Sequence, residues 1–130
     1  MAFDWSEFKT FDFSEGIPKI SVTANGVTFS RGVANKLGKP EYIVLMINDE
    51  KHQIAIKRAT KETRFSYRFY RQNKRKEEKN IVSVRINNAE LISRMSRLMN
   101  WNLSLYSYSV EGVAVDDETI LFDLNNAKTM

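Results

Sequence analysis

The chain has 130 residues, 42% of them hydrophobic, which is enough for one domain with its own core, and its longest apolar run is too short to cross a bilayer. It contains no cysteine and a single histidine, which excludes a disulfide framework, a thiolate zinc or iron–sulfur site, and a thiol nucleophile. The first residues have neither the basic start nor the continuous apolar stretch of a secretory signal, so we expect a cytoplasmic protein without membrane contact.

The formal net charge of +4 is distributed unevenly along the chain. The segment from Lys57 to Lys79 holds 10 of the 20 basic and 3 of the 16 acidic residues, a local charge of +7, which leaves −3 for the remainder. A concentrated positive charge attracts phosphate backbones, anionic lipid and acidic proteins. The charge pattern therefore favours a negatively charged partner.

Residues 1–17 form an N-terminal arm that is both aromatic and acidic. Its aromatic residues are Phe3, Trp5, Phe8, Phe11 and Phe13. Exposed Trp and Phe side chains anchor protein interfaces, so Trp5 and Phe8 are candidate partner-binding residues. In the alternative interpretations the arm folds back to close the core of its own domain, or is exchanged between subunits.

Residues 18–60 predict a first unit in the order strand, helix, strand, strand. "KISVTANG" alternates apolar and polar residues and ends in the turn dipeptide Asn25-Gly26, which indicates a half-buried strand and a tight turn. "EYIVLMIN" and "HQIAIKRA", joined by a short turn, predict a β-hairpin.

The helix of this unit is predicted by the spacing of its apolar residues. Phe29, Val33 and Leu37 recur at i, i+4 and i+8, the pattern of an amphipathic helix whose stripe belongs to the core. Ser30 is a suitable N-cap, and Gly38 is a suitable C-terminal residue.

Residues 61–80 predict a basic linker. Its sequence "RFSYRFYRQNKRKEEK" interleaves aromatic residues with arginines, and single-stranded nucleic acid is bound by stacking bases on rings and pairing phosphates with Arg. In the alternative interpretation, Phe65, Tyr67 and Phe69 form one buried face of a short strand. The candidate nucleic-acid contacts in this linker are Arg64, Arg68, Arg71, Lys74, Arg75 and Lys76.

Residues 81–130 predict a second copy of the first unit. "VSVRINN" lies over "ISVTANG" at an offset of 62 residues, and the same offset carries the helix stripe onto Leu91, Met95 and Met99. "LYSYSVEGVAV" and "TILFDL" supply the second hairpin. We therefore predict an α+β fold of two tandem β-α-β-β repeats, although any α+β protein can offer such patterns without duplication.

The run "VTFSRGVANKLG" followed by "EYIVLMINDEKHQIAIKRA" resembles the AbrB/SpoVT swapped-hairpin DNA-binding domains, in which a strand, a short helix ending Lys-Leu-Gly and a hairpin with an acidic turn recur in that order. The family's usual proline is Ser30 here, and the second copy lacks the helix-ending glycine. The resemblance implies a pseudo-dimeric barrel in one chain, with Arg31, Lys36 and Arg85 near a DNA backbone and Arg94 and Arg97 as their counterparts in the second copy. In the alternative interpretation these cations lie on solvated faces.

The sequence offers little for catalysis. Asp116, Asp117, Glu118 and Asp123 are close in sequence, but consecutive acidic residues in a loop usually face water, and His52 has no recognisable catalytic partners. We expect a protein that is not an enzyme and has no metal or cofactor. The main hypothesis is a small nucleic-acid-binding or regulatory protein that contacts DNA or RNA. The alternative is an accessory or inhibitory factor of phage or mobile-element origin that binds a host protein, and self-association into a homodimer stays open.

Overall fold

A computed structural model describes residues 3–10, 16–70 and 83–130. The predicted contacts Arg71, Lys74, Arg75 and Lys76, like the arm residues Phe11 and Phe13, lie outside the described residues. The described strands are β1 (Lys19–Thr23), β2 (Gly26–Phe29), β3 (Tyr42–Asn48), β4 (Gln53–Ala59), β5 (Tyr67–Arg68), β6 (Val84–Ile86), β7 (Tyr108–Ala114), β8 (Thr119–Asp123) and β9 (Lys128–Thr129). The helices are α1 (Arg31–Lys36), α2 (Ala89–Met99) and a short 3-10 helix (Leu124–Asn126).

The nine strands form one antiparallel sheet in the order β5-β3-β4-β8-β7-β1-β2-β6, with β9 beside β7. The sheet curls into a half-barrel, and its inner face carries the apolar core. The class is α+β, as predicted. No helix among the described residues is long and apolar enough to span a membrane.

The segment before α1 forms a hairpin rather than a single strand. Ile20 of β1 pairs with Phe29 of β2, and the backbone reverses between them. Ser30 occupies the N-cap position, but its hydroxyl does not cap the helix. It donates to the carbonyl of Ile17 at 3.1 Å and accepts from the backbone N–H of Lys19 at 2.9 Å. Ser30 thus ties the end of β2 to the start of β1.

One hydrophobic core joins distant parts of the chain. Phe29, which is almost fully buried, lies edge-on to Phe69 at 5.3 Å and to Phe122 at 6.4 Å between ring centroids. The predicted burial of Val33 and Leu37 is confirmed. Because these rings come from the first unit, the linker and the second unit, the three segments are packed together.

Helix α2 is longer and less buried than α1. The side chain of Asn88 caps it by accepting from the N–H of Leu91 at 3.0 Å. Of the predicted stripe, Met95 is buried, whereas Leu91 and Met99 are half-buried. Helix α2 therefore buries a narrower stripe of its surface than α1 does.

The alternative prediction that Phe65, Tyr67 and Phe69 form one buried face of a strand is wrong in part. Phe69 is buried, but Phe65 is 82% exposed and Tyr67 is 45% exposed. Phe65 has a positive φ of 62° in the turn that precedes β5, so its side chain leaves the strand before the alternation begins. Strand β5 has two residues, which is too short to align three alternate side chains.

Candidate nucleic-acid interface

A cleft lies between β5 and β6, the two end strands of the curled sheet. It has a volume of about 300 Å³ and is lined by residues 67–70 on one side and 83–85 on the other. Because both sets line the same cleft, the two ends of the sheet approach each other. The two sides are also joined through the sequence by residues 71–82, which contain five of the chain's 20 basic residues and two of its 16 acidic ones.

Arg68 stands on the β5 side of this cleft. It pairs across the sheet with Tyr42, and its guanidinium lies 3.5 Å from the carboxylate of Glu41. Both side chains are about half exposed, and an exposed ion pair of this kind contributes about 0 to 1 kcal/mol. A phosphate can therefore replace Glu41 as the partner of Arg68 at little cost.

Arg85 stands on the β6 side. It pairs with Thr28, and its guanidinium donates to the carbonyl of Asn25 at 3.1 Å. The side chain crosses the β1–β2 turn at Gly26, where an added Cβ would lie 2.7 Å from the Arg85 Nε. The Asn25-Gly26 turn thus makes room for the Arg85 side chain, and one of the five N–H donors of its guanidinium is bound by the Asn25 carbonyl.

A second group of cations surrounds the end of α1. The backbone N–H groups of Phe69 and Tyr70 donate to the carbonyls of Glu41 and Pro40, at 2.7 and 3.2 Å, so the segment after α1 is fastened beside β5. Lys36 is the last residue of α1 and is exposed. Arg31 is exposed at the opposite end of the helix, and the structure does not bring it into the cleft lining.

Two further basic residues, Lys39 and Arg58, lie near α1 and were not among the residues predicted from the sequence. Lys39 is exposed just after Gly38, and a Cβ added to Gly38 would lie 3.0 Å from a guanidinium nitrogen of Arg58. Arg58 follows the buried Ile54 and Ile56 at the same alternate spacing, but it is exposed because β4 leaves the core there. A charged residue that continues the buried alternation at the end of a strand is the sequence pattern that could have singled out Arg58.

The predicted aromatic contacts are divided between core and surface. Phe69 and Tyr70 are buried, so they do not offer a ring face to a base. Phe65 and Tyr67 are exposed, and the guanidinium of Arg64 lies 4.7 Å from the centre of the Phe65 ring. Fewer rings are thus exposed than the sequence suggested, and of the two exposed rings Tyr67 lines the cleft.

The rings of the N-terminal arm contact one another. Phe3, Trp5 and Phe8 have centroids 4.7 to 5.7 Å apart, yet each ring is more than 60% exposed. The N–H of Ser6 donates to the carboxylate of Asp4 and lowers the pKa of that group below its ordinary value of 3.8. The interpretation that the arm folds back to close the core of its own domain is therefore wrong for these three rings.

The acidic residues of the second hairpin form a turn. Asp116 accepts from the N–H of Glu118 at 2.8 Å, which lowers the pKa of the Asp116 carboxyl, and Asp123 accepts from the N–H of Asn125 at 3.0 Å. Among the described residues, no group of three or more His, Asp or Glu side chains could hold a metal ion. The carboxylates are used to fix the backbone.

Comparison with protein-family models, with curated proteins and with solved structures gave no match. The function is therefore argued from the site itself.

Proposed function

We propose that this chain is a small, non-enzymatic nucleic-acid-binding protein whose contact surface is the cleft between β5 and β6. The observation that carries the proposal is the convergence of Arg68 and Arg85, which are 17 residues apart in sequence, on one cleft whose sides are joined by a strongly basic segment. Arginine forks match phosphate oxygens, and closely spaced cations compete with the counterions that surround a nucleic acid.

Single-stranded nucleic acid is the form we favour. The exposed ring of Tyr67 lines the cationic cleft and the exposed ring of Phe65 is two residues away in the chain, and bases that are not paired can stack on such rings. A base stacked on an aromatic side chain contributes about 1 to 3 kcal/mol, without a requirement for a particular base. Binding of this kind depends on phosphates and rings, so we expect little sequence specificity.

We further propose that the two halves of the fold are duplicated units related by a pseudo-two-fold axis, as the AbrB/SpoVT resemblance implies. In support, the hairpins β3–β4 and β7–β8 flank the central pair β4–β8. Strand β1 pairs with β7 as β5 pairs with β3, and β2 pairs with β6. In this correspondence β6 matches β2 and not β1, one strand away from the match that the sequence offset suggested.

The residue pairs support the same correspondence. Ile20 pairs with Val110 of β7, and Tyr67 pairs with Ile43 of β3. With β7 equivalent to β3 and Val110 equivalent to Ile43, Ile20 and Tyr67 are equivalent as well. The paired β1 and β2 of the first unit then have their counterpart in β5 and β6, which do not pair among the described residues and enclose the cleft instead. The proposed binding site is where the two units differ.

Changing Arg68 and Arg85 together to alanine is expected to weaken the binding of a fluorescent single-stranded oligonucleotide by about 10-fold or more at low salt, because two phosphate contacts are lost. The slope of log affinity against log salt should fall by about 1.4. Fluorescence anisotropy at several salt concentrations, with single- and double-stranded DNA and with RNA, measures both quantities.

The matched control is the double change of Arg94 and Arg97 to alanine. It removes the same charge from α2, where Arg94 already pairs with Asp49 at 2.9 Å, and it should leave most of the affinity intact. Equal losses in the two variants would mean that total charge, and not the cleft, determines binding. Absence of binding by the unchanged protein at low salt would refute the proposed function.

A second candidate function is protein binding through the N-terminal arm. The observation in its favour is the 69% exposure of Trp5 within a cluster of three rings. Large aromatic side chains are enriched among the residues that dominate interface energetics, and acidic neighbours such as Asp4 and Glu7 favour a basic rim on the partner.

Replacing Trp5 and Phe8 by alanine is expected to abolish a stoichiometric complex with a host protein while leaving the thermal unfolding of the chain unchanged. The measurement is affinity capture, followed by light scattering of the purified pair. The control variant changes Leu105 and Tyr106 to alanine, since these side chains are also exposed and lie in another loop. A complex that survives the change at Trp5 and Phe8 would contradict this candidate.

A further inference from the structure

The outer face of the sheet carries an apolar row that the proposed function does not use. Met46, Ala55, Leu121 and Val113 are direct cross-strand neighbours on β3, β4, β8 and β7. Their strand neighbours Ile54, Ile56, Ile120 and Phe122 are buried inside the barrel, so by alternation this row faces outward. Met46 is 45% and Val113 is 66% exposed.

The two rows beside it on the same face differ in charge. One contains Asn48, Gln53, Asp123 and Glu111; Asp123 and Glu111 are acidic, and Glu111 pairs across the sheet with Lys19 of β1. The other contains Val44, Lys57, Thr119 and Val115 and carries a single cation. The outer face is thus apolar in the middle, negative along one side and positive at Lys57 on the opposite side.

We propose that this outer face is a self-association surface, on which a second copy of the chain stacks face to face with its strands running antiparallel to those of the first. In that orientation β4 of each copy lies over β4 of the other, so Lys57 lies opposite Gln53 and has Asp123 on the next strand. With the strands parallel, the two Lys57 side chains would lie one strand apart, as would the two Asp123 side chains. The rim charges therefore select one of the two orientations.

A second copy fits this face better than a nucleic acid does. Arginine is absent from the three rows, and the central row has no charge, whereas the cleft has two arginines. The face is centred on β4 and β8, which do not neighbour β5 or β6, and only its edge strand β3 pairs with β5. The proposed dimer does not depend on the cleft binding nucleic acid.

The size of the face sets the strength of the dimer. Four strands about 4.8 Å apart and three alternate rows about 7 Å apart cover on the order of 400 Å² per copy. Stable interfaces bury about 800 Å² per partner, so this contact belongs to the weak, transient class. We expect a monomer at nanomolar concentration and a dimer that accumulates at high micromolar concentration.

Sedimentation velocity over a concentration series tests the proposal. The unchanged chain should show a reversible rise from monomer to dimer, and Val113→Lys should raise the dimer dissociation constant by about 10-fold or more, because it places charges in the apolar row. The control Leu105→Lys changes an equally exposed side chain outside the face and should have no effect. A monomer at every concentration, or equal effects of the two lysines, would overturn the proposal.

Charge reversal tests the orientation. Lys57→Glu should weaken the dimer, because it places a second carboxylate beside Asp123 of the other copy, and the double variant Lys57→Glu with Gln53→Lys should restore it, since position 53 lies opposite position 57 in the stack. A change in folding alone would not produce this rescue, and thermal unfolding at low protein concentration checks that each variant is folded. A dimer that is insensitive to Lys57→Glu would overturn the antiparallel stacking.

Discussion

Replacing Phe29 by alanine is expected to lower the free energy of unfolding by about 3 to 5 kcal/mol. The ring is 1% exposed and contacts Phe69 and Phe122, so its removal leaves a cavity between segments from three parts of the chain. Phe69 follows β5 and Phe122 lies in β8, so these neighbours are held by different segments and cannot all move in to fill the space. Urea unfolding followed by circular dichroism gives the free energy.

The comparison is with Phe65→Ala, the same substitution at a ring that is exposed. Among the described residues, the guanidinium of Arg64 lies over this exposed ring, so the loss should stay below about 1 kcal/mol. If the two variants were equally stable, Phe29 would not be the residue that joins the two units and the linker.

Replacing Gly32 by alanine is expected to destabilise the protein by about 1 to 3 kcal/mol, although alanine is the better helix former. A Cβ at this position of α1 would lie 2.6 Å from the carbonyl oxygen of Ile17. That oxygen also accepts from the Ser30 hydroxyl, so relief of the overlap would disturb the contact that fixes β2 against β1. Thermal and urea unfolding measure the loss.

Gly16→Ala is the matched control, because nothing lies within 4 Å of the Cβ that it would add. It should be neutral or slightly stabilising, since alanine restricts the unfolded chain more than glycine does. A Gly32→Ala variant as stable as the unchanged protein would show that α1 can move away from Ile17 and would contradict the expected loss.

The proposed functions depend on different surfaces, so their tests can be separated. The proposed binding of nucleic acid would use the cleft, the proposed protein binding would use the arm, and the proposed self-association would use the outer face of the central strands. A dimer would present two clefts to one strand and raise its apparent affinity without a new contact. The Val113→Lys variant therefore also shows how much of any measured affinity for nucleic acid comes from dimerisation of the chain.

The sequence by itself determined the local elements, since each depends on a short repeat of residue types. Alternation in "HQIAIKRA" predicted β4. The spacing of Phe29, Val33 and Leu37 predicted a helix with a buried stripe; all three are buried, but Phe29 ends β2 and does not belong to α1. The unequal distribution of charge was equally visible, because it needs no structure. These features depend on neighbours that are at most a few residues apart.

Only the tertiary structure decided which distant residues meet. It turned Phe65 outward and Phe69 inward, brought Arg68 and Arg85 to one cleft, and aligned Met46, Ala55, Leu121 and Val113 in one exposed row. Strand order and register depend on which apolar faces can close one core, and a shift of one residue would turn every side chain of a strand to the other face. The physical reason is that such pairing is a property of the whole sheet, which no single segment of this chain encodes.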